Sequence, residues 1–490
     1  MVAYQTTTPQ DYLMSIINHK LSVTEKIGYA LGDLAANLVF QTLVTFIAFF
    51  YTDVYGIEAG WASLIIFWAG IIGGAVFTPI MGAIADRTRT RWGKFRPWIL
   101  WTAVPFGAIV MATFATPDFS SSGKLWYAGV TYLLLVMIYS ANNLPYSALS
   151  GVLTGSMSER NSLSSYRFVA VMVAQFIIQV LVYPIVIWAG DGDKAVGFEK
   201  VMMVLAVVGV VCLLITFLTT KERVIPKPEQ ESSVINDLKD LFGNRPWVVM
   251  LILTTLIFVT LALKGGSYIY YFEQYLDEEA MRAFLDSVGA SSLFASDSSA
   301  GSATFSLYNA VSIICQIIGI FFSKRLADKY GKRNIFGGFL FLSTLFLLAY
   351  IVVPADAIRT VFILQIGHGL AYGVTIPILW AMIADVADYS EWKNNRRATA
   401  IIFSAMIFGL KVGLSIGGSL VAGLLAYYGY AKDLATQAPE TLNGIRLMIS
   451  VFASLPFLIG VASLFFYEID KKMEDQIESD LLSRRGEAVS

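Results

Sequence analysis

The sequence predicts an all-α membrane protein with twelve transmembrane helices in two six-helix bundles. Three observations carry that prediction. First, the 490 residues are 56% hydrophobic and 14% charged, whereas soluble domains carry about 25% charged residues. The mean hydropathy is +0.64, too apolar for a chain of this length to hide in one aqueous core. Second, the apolar residues gather into twelve runs, each near the ~20 residues that a helix needs to cross hydrocarbon. Third, one polar connector divides those runs six and six, the hydropathy pattern of a two-bundle carrier.

The first six runs lie at 27–52, 60–84, 97–116, 125–150, 163–189 and 197–219, and the second six at 246–274, 304–325, 334–353, 358–385, 399–428 and 442–467. The expected organisation is therefore a cytoplasmic segment 1–26, a bundle 27–219, a connector 220–245, a bundle 246–467 and a cytoplasmic tail 468–490. Within the connector, "VINDLKDLF" has the pattern of an amphipathic interfacial helix. Residues 275–303 face outside, acidic at first and then rich in Ser and Ala. A stretch this long is either a loosely ordered insertion or a lid over the outer mouth.

Lys and Arg fix the orientation. Arg87, Arg89, Arg91, Lys94 and Arg96 follow the second run. Lys324, Arg325, Lys329, Lys332 and Arg333 follow the eighth, and Lys393, Arg396 and Arg397 follow the tenth. Alternate loops are poor in cations. The positive-inside rule makes the cationic loops, the connector and both termini cytoplasmic. "ADRTRTRWGK" and "ADKYGKR" occupy matching places in the two halves, a weak internal repeat.

Several functions are excluded. The net charge is −1, so no bulk field attracts nucleic acid. The two cysteines, Cys212 and Cys315, sit in apolar runs and read as packing. The two histidines, His19 and His368, share no metal-ligand spacing. Neither a nucleophile–base pair nor a metal cluster appears, so no enzyme and no cofactor is expected. The first 25 residues are polar and mixed; a cleavable signal peptide is not expected, and the first helix serves as the insertion signal.

Charges inside hydrocarbon are expensive and usually face a cavity or a partner. The short list is Asp33, Arg167, Lys264 and Lys411, with Asp385 and Asp388 nearer the cytoplasmic end. An ionised Asp33 can accept from two hydroxyls at once, or it can pair with a buried cation. Asn143 can both donate and accept without net charge. Pro145 frees backbone carbonyls nearby. Tyr139, one turn before Asn143, shares its face and can stack on a sugar ring. The alternative for Asn142 and Asn143 is interhelical hydrogen bonding. Lys411 lies too deep in its run to snorkel. Lys264 adjoins Gly265 and Gly266, with Tyr268 one turn on.

Seven stretches then resemble one family: "GYALGDLAANL", "FFYTDVYG", "PIMGAIADRTRTRWGKFRPWIL", "NNLPYSALSG", "SYRFVA", "MIADVADYSEWK" and "LKVGLSIGGSLVAG". In order and over both halves they resemble the glycoside–pentoside–hexuronide:cation symporters, a branch of the major facilitator superfamily that includes the melibiose permease. The resemblance implies the major facilitator fold and sugar transport by alternating access. It implies sugar contacts for Asp33, Asn143 and Arg167 and a place between the cation and sugar sites for Lys411, with Tyr139 a substrate candidate by its shared face with Asn143. Lys264 and Tyr268 are candidates beside them, since the melibiose permease lacks a cation at the Lys264 position. It further implies that Asp86 and Arg87 in the first half, and Asp385, Asp388 and Arg396 in the second, latch the cytoplasmic side. Asp33 and Lys411 are the expected coupling residues.

The family's sodium site is the exception. Sodium-coupled members carry two Asp residues one turn apart on the second span. Aligned on Pro79, the residues here are Gly74 and Thr78, so no metal site is expected. Proton coupling through Asp33 is the favoured expectation, ahead of uncoupled facilitation and of sodium bound elsewhere. Three deep cations against one deep carboxylate leave both a neutral and an anionic sugar open. The competing class is a lysolipid carrier of the same fold. A sensor or scaffold has no support in the short tail. The expected setting is a bacterial inner membrane, with the lipid bilayer as the surrounding partner.

Overall fold

The computed structural model describes residues 20–154, 156–223, 243–291, 299–394, 399–432, 434 and 436–487. In chain order the helices are α1 (Val23–Val54), α2 (Ala59–Arg87), α3 (Arg96–Thr113), α4 (Ser121–Leu153), α5 (Ser162–Ala189), α6 (Lys194–Thr219) and α7 (Arg245–Tyr275). They continue as α8 (Glu278–Ser287), α9 (Ala300–Tyr330), α10 (Lys332–Val352), α11 (Ile358–Lys393), α12 (Ile402–Tyr427), α13 (Pro439–Phe466) and α14 (Lys471–Glu487). The chain is an all-α, multi-pass membrane protein.

Eleven of these helices, all but α3, α8 and α14, are long and apolar enough to cross a bilayer. The expected count was twelve. The third apolar run does form a helix, but α3 has 18 residues with Pro105 inside it. At 1.5 Å per residue it spans about 27 Å, just short of the ~30 Å hydrocarbon layer.

The helix starts follow from side chains that accept orphaned amides. Ser120 caps α4 through Gly123, 3.3 Å; Asp193 caps α6 through Ala195, 2.8 Å; Asn244 caps α7 through Trp247, 3.2 Å; Ser299 caps α9 through Ser302, 3.1 Å. Between α9 and α10 the chain turns at Gly331, whose φ of +84° suits a residue without a side chain.

Two compact units emerge, and they do not divide at the connector alone. Residues up to Leu43 and 72–229 form the first; residues 44–71 and those from 230 onward form the second. The expected bundles placed 44–71 in the first half. Small residues and polar tips draw that segment onto α7 and α12. Val44 packs on Gly266, Ile66 on Gly418, and Ser63 donates to the Ser419 carbonyl at 2.9 Å. Thr52 and Tyr270 share a hydrogen bond of 2.7 Å, and Asp53 accepts from Thr52 at 2.6 Å and from the Tyr430 hydroxyl.

In the first unit, helix ends on the side expected to be cytoplasmic are tied by charge. Glu222, just past α6, accepts from the backbone amides of Lys94, Phe95 and Arg96 at 2.8, 2.7 and 2.9 Å. It thereby caps α3, whose amino end carries partial positive charge. Arg223 grips Glu25 with two bonds, 2.7 and 2.9 Å, and Lys26 pairs with Glu159 at 2.9 Å. Glu222→Ala orphans three amides, and a cap of this kind contributes about 1–2 kcal/mol. The expected result is a lower melting temperature of the purified protein in detergent. An unchanged melt contradicts the assignment.

In the second unit, α9 and α11 meet through Gly319 and Gly373, where a Cβ on either would strike the other helix's backbone. A core around Trp247, Leu253, Phe336, Leu340, Met382 and Phe457 joins α7, α10, α11 and α13. The tail helix α14 packs on the ends of α10 and α11. Lys332 pairs with Asp385 at 2.6 Å and with Glu474 at 3.0 Å, and Trp392 donates to Asp480 at 2.8 Å.

The stretch expected to face outside is ordered in its first part, which differs from the expectation of a loosely ordered insertion. Residues 278–287 form α8, capped by Asp277. Met281 and Leu285 are buried, and the Phe284 ring lies 4.6 Å from that of Phe362 on α11. The spacing of Met281, Phe284 and Leu285 is a helical face that the compositional reading passed over. The segment expected to form the amphipathic connector helix, residues 234–242, lies outside the described residues.

Candidate functional site

Asp33 sits about three turns into α1 and is 4% exposed. Arg167 on α5 donates to it through Nε in a short contact, and through a second nitrogen at 3.5 Å. Both readings of Asp33 therefore meet in one geometry. The carboxylate has a cationic partner, and the Arg167 side chain remains 29% exposed. A guanidinium offers five donors, so the pair keeps capacity for a ligand. Breaking such a pair on one side strands the other charge.

Aromatic rings hold the arginine. Its guanidinium lies 5.7 Å from the Tyr29 ring centre and 5.5 Å from that of Tyr146, within cation–π range. Those two rings stack on each other at 4.7 Å. Each hydroxyl also donates to the other residue's carbonyl, at 3.1 and 2.7 Å. Gly32 makes this possible, because a Cβ there would collide with the Tyr146 ring. The sequence motif "LGDL" is thus a packing requirement beside a chemical one.

Polar amides extend the site along the helices. Asn37 and Gln41 follow Asp33 at four-residue steps and share its face of α1. Asn37 donates to the Asp33 carbonyl at 2.9 Å. Gln179 on α5 donates to Gln41 at 3.2 Å and accepts from Gln175 at 3.3 Å. Attention to charged residues alone misses Asn37, Gln41, Gln175 and Gln179. Their signal was present as polar residues at helical spacing inside apolar runs.

The two adjacent asparagines of α4 separate cleanly. Asn142 is buried and donates to Thr102 on α3 at 2.7 Å, which ties two helices. Asn143 is half-buried and makes no side-chain hydrogen bond among the described residues. Tyr139 packs near Phe106, 6.4 Å between ring centres, and lies within electrostatic reach of Asp33. The first unit thus joins Asp33 and Arg167 with Asn37 and the glutamines, and Tyr139 and Asn143 lie one turn apart on α4 of the same unit. It offers a carboxylate, a guanidinium, amides and ring faces, a set that suits a hydroxyl-rich solute.

The second unit holds the other candidates. Lys411 is half-buried on α12. Lys264 and Tyr268 lie in the packed interior, 7% and 4% exposed. Lys264 Nζ is 2.5 Å from His368 Nε2, and the Tyr268 ring packs edge-on against Tyr308 at 5.0 Å. The sequence set His368 aside, because it shares no spacing with another ligand-type residue.

Among the expected latch residues, Asp86 pairs with Lys94 at 2.8 Å and is largely exposed, as is Arg87. Asp385 pairs with Lys332, and Asp388 is half-buried on the same helix end. Arg396 lies outside the described residues. Asp53 is a further carboxylate in α1 that the list of deep charges omitted.

At the positions of the family's sodium carboxylates, Thr78 donates its hydroxyl to the Gly74 carbonyl in a short bond of the helix with itself. Neither residue supplies an anionic oxygen for a hard cation. No group of three or more His, Cys, Asp or Glu suited to a metal occurs among the described residues.

The chain has relatives over nearly its whole length. The profile of the family described as "MFS/sugar transport protein" matches residues 28–471. A putative glycoside/cation symporter of Escherichia coli, YagG, is 35% identical over 473 residues, covering 96% of this chain and 98% of the relative. An isoprimeverose transporter of Lactiplantibacillus pentosus is 30% identical over 468 residues, covering 95% and 92%. Among solved structures, a D-xylose–proton symporter superposes with a TM-score of 0.57 at 13% identity, over 93% of this chain and 98% of that one. That likeness speaks to the fold.

Proposed function

From the premise that this chain belongs to the MFS/sugar transport protein family, we propose that it imports a neutral glycoside by alternating access, coupled to protons. Transport and the absence of enzymatic chemistry follow from the family. The finer reading rests on one observation above the others: the Asp33–Arg167 pair, held by the Tyr29 and Tyr146 rings and continued by the amides of Asn37, Gln41 and Gln179. A pyranose presents hydroxyls that need both donors and acceptors, and a ring face that packs on an aromatic side chain.

Neutral sugar is favoured over anionic because two of the three deep cations have side-chain partners. Arg167 has Asp33, and Lys264 has His368. The relatives described as a glycoside symporter and an isoprimeverose transporter point the same way. Sodium coupling has no support at Gly74 and Thr78. Twelve spans, the six-plus-six arrangement, cytoplasmic termini and a bacterial inner membrane complete the proposal. Asp86, Asp385 and Asp388 are read as cytoplasmic latches, and Lys411 as a coupling or substrate residue of the second unit.

The test is counterflow in proteoliposomes with labelled isoprimeverose, methyl β-D-glucuronide and lysophosphatidylcholine in parallel. Exchange of isoprimeverose is expected. Exchange of the glucuronide alone reverses the charge argument, and lysolipid movement alone favours the competing class. Asn143→Ala removes one amide and is expected to weaken isoprimeverose binding by about 3- to 10-fold, since one neutral hydrogen bond contributes about 0.5–1.5 kcal/mol. Titration calorimetry reads the change, and an unaltered affinity removes Asn143 from the site.

A further inference from the structure

Lys264 of α7 and His368 of α11 are buried against each other inside the second unit. Nζ lies 2.5 Å from Nε2; His368 is fully buried and Lys264 is 7% exposed. On the other side of the ring, Nδ1 lies 3.1 Å from the Ser343 carbonyl and 2.8 Å from its hydroxyl, both on α10. A carbonyl only accepts, so the hydrogen-bond network assigns the ring hydrogen to Nδ1. Nε2 then presents its lone pair to Lys264. Two nitrogens this close require one proton between them. A second excess proton would set two positive charges in contact in a medium that screens them weakly.

The surroundings hold a single positive charge through ring faces. The Tyr372 and Tyr268 ring centres lie 5.4 and 6.0 Å from Nζ. Tyr372 also stacks on His368 at 5.9 Å, and Phe457 of α13 stacks on Tyr372 at 5.9 Å. From α9 the group facing this cluster is Tyr308, whose hydroxyl is bound to Gln365 and to Tyr350 of α10. From α12 the contact at this level is Val421, against Gly266. Lys411 lies lower, near the level where Gly409 and Gly413 pack on Thr255, which is about 13 Å along α7 from Lys264. Among the described residues, the next carboxylates along the two helices are Glu273 and Asp385, about 13 and 25 Å away along the axes. The dyad therefore sits between helix ends, without an adjacent anion on either helix.

We propose that Lys264 and His368 form the proton-coupling dyad of this carrier, a role that rests on the reading of the chain as a proton-coupled sugar transporter. The dyad binds one proton from water on one side of the membrane and releases it to water on the other. Only an N–H bond forms and breaks. Asp33 stays with Arg167 throughout, because a protonated Asp33 would leave a permanent guanidinium charge stranded beside it. Sugar and proton thus use separate residues, the first on Asp33 and its neighbours, the second on Lys264 and His368.

His368→Gln tests the assignment in proteoliposomes loaded for isoprimeverose uptake. An amide oxygen accepts the Lys264 N–H and cannot take its proton. With an imposed gradient of one pH unit, the parent is expected to accumulate isoprimeverose up to about tenfold at one proton per sugar. The variant is expected to keep counterflow within severalfold of the parent and to accumulate no sugar. A variant that accumulates like the parent overturns the dyad and leaves proton coupling standing. A parent that exchanges isoprimeverose yet ignores the pH gradient overturns coupling and the dyad together, and leaves sugar transport standing. Should His368→Gln fail to fold, nitrogen NMR of histidine-labelled His19→Gln protein decides, since the chain has only two histidines. The expected spectrum has His368 in the Nδ1–H form, with an Nε2 signal that changes as pH is varied over the range in which the protein stays folded. The opposite tautomer, or a signal indifferent to pH, overturns the proposal.

Discussion

Asp33→Asn is expected to weaken isoprimeverose binding by about 10- to 100-fold. Hydrogen bonds to an ionised group contribute about 1.5–3 kcal/mol, and each 1.4 kcal/mol is tenfold. The substitution also disturbs the arginine. Asn offers one acceptor oxygen where the carboxylate offers two, and it adds a donor that faces Arg167. The guanidinium then loses its counter-charge but keeps the Tyr29 and Tyr146 faces. Its 29% exposure lets water moderate the loss, so the fold is expected to survive. Calorimetric titration reads the affinity and a thermal melt checks the fold. A normally folded variant that binds within threefold of the parent removes Asp33 from the sugar site.

Gly373→Val is expected to abolish the folded protein. A Cβ at this position would strike the Gln316 backbone, and at Gly319 it would strike that of Leu370. Backbone cannot yield as a side chain can, so α9 and α11 would have to part along their seam. Close helix approach through small residues is a principal source of packing energy within a membrane, and overpacking here exceeds the usual ~1–3 kcal/mol. Gly338→Val is the control, because nothing lies within 4 Å of its Cβ position. Size-exclusion chromatography of the solubilised proteins should give a monodisperse peak for the control alone. A monodisperse Gly373→Val protein contradicts the packing account.

Much of the fold was readable because lipid imposes a simple rule. Runs near 20 apolar residues become helices, and the positions of eleven spans follow from that rule alone. The rule was weakest at α3, whose 18 residues and internal Pro105 sit at its margin. Hydropathy says nothing about which helices pack together. The attachment of 44–71 to α7 and α12 rests on single small residues such as Gly266 and Gly418. Likewise, α8 was hidden by the acidic and Ser-rich composition around it, although Met281, Phe284 and Leu285 mark its buried face.

The site shows the same contrast. Asp33 and Arg167 stand out because a charge in hydrocarbon demands a reason. Their contact with each other could not be read from sequence, since 134 positions separate them. Asn142 and Asn143 are chemically alike and one residue apart, yet only the helix face each occupies separates a structural tie from an open amide. Neutral polar residues such as Gln41 and Gln179 are less conspicuous than charges, and a histidine mid-helix reads as packing until a lysine is found against it.

The central claim is that the sugar lies against the Asp33 face of α1. Its most direct test is substrate protection of a cysteine placed on that face. Gln41→Cys, in a chain with Cys212 and Cys315 changed to Ser, presents one thiol two turns along from Asp33. Labelling by a membrane-permeant maleimide is followed with and without saturating isoprimeverose. The account predicts that isoprimeverose slows labelling and that sucrose does not. Labelling at full rate, at isoprimeverose concentrations that saturate counterflow in the same protein, would contradict it.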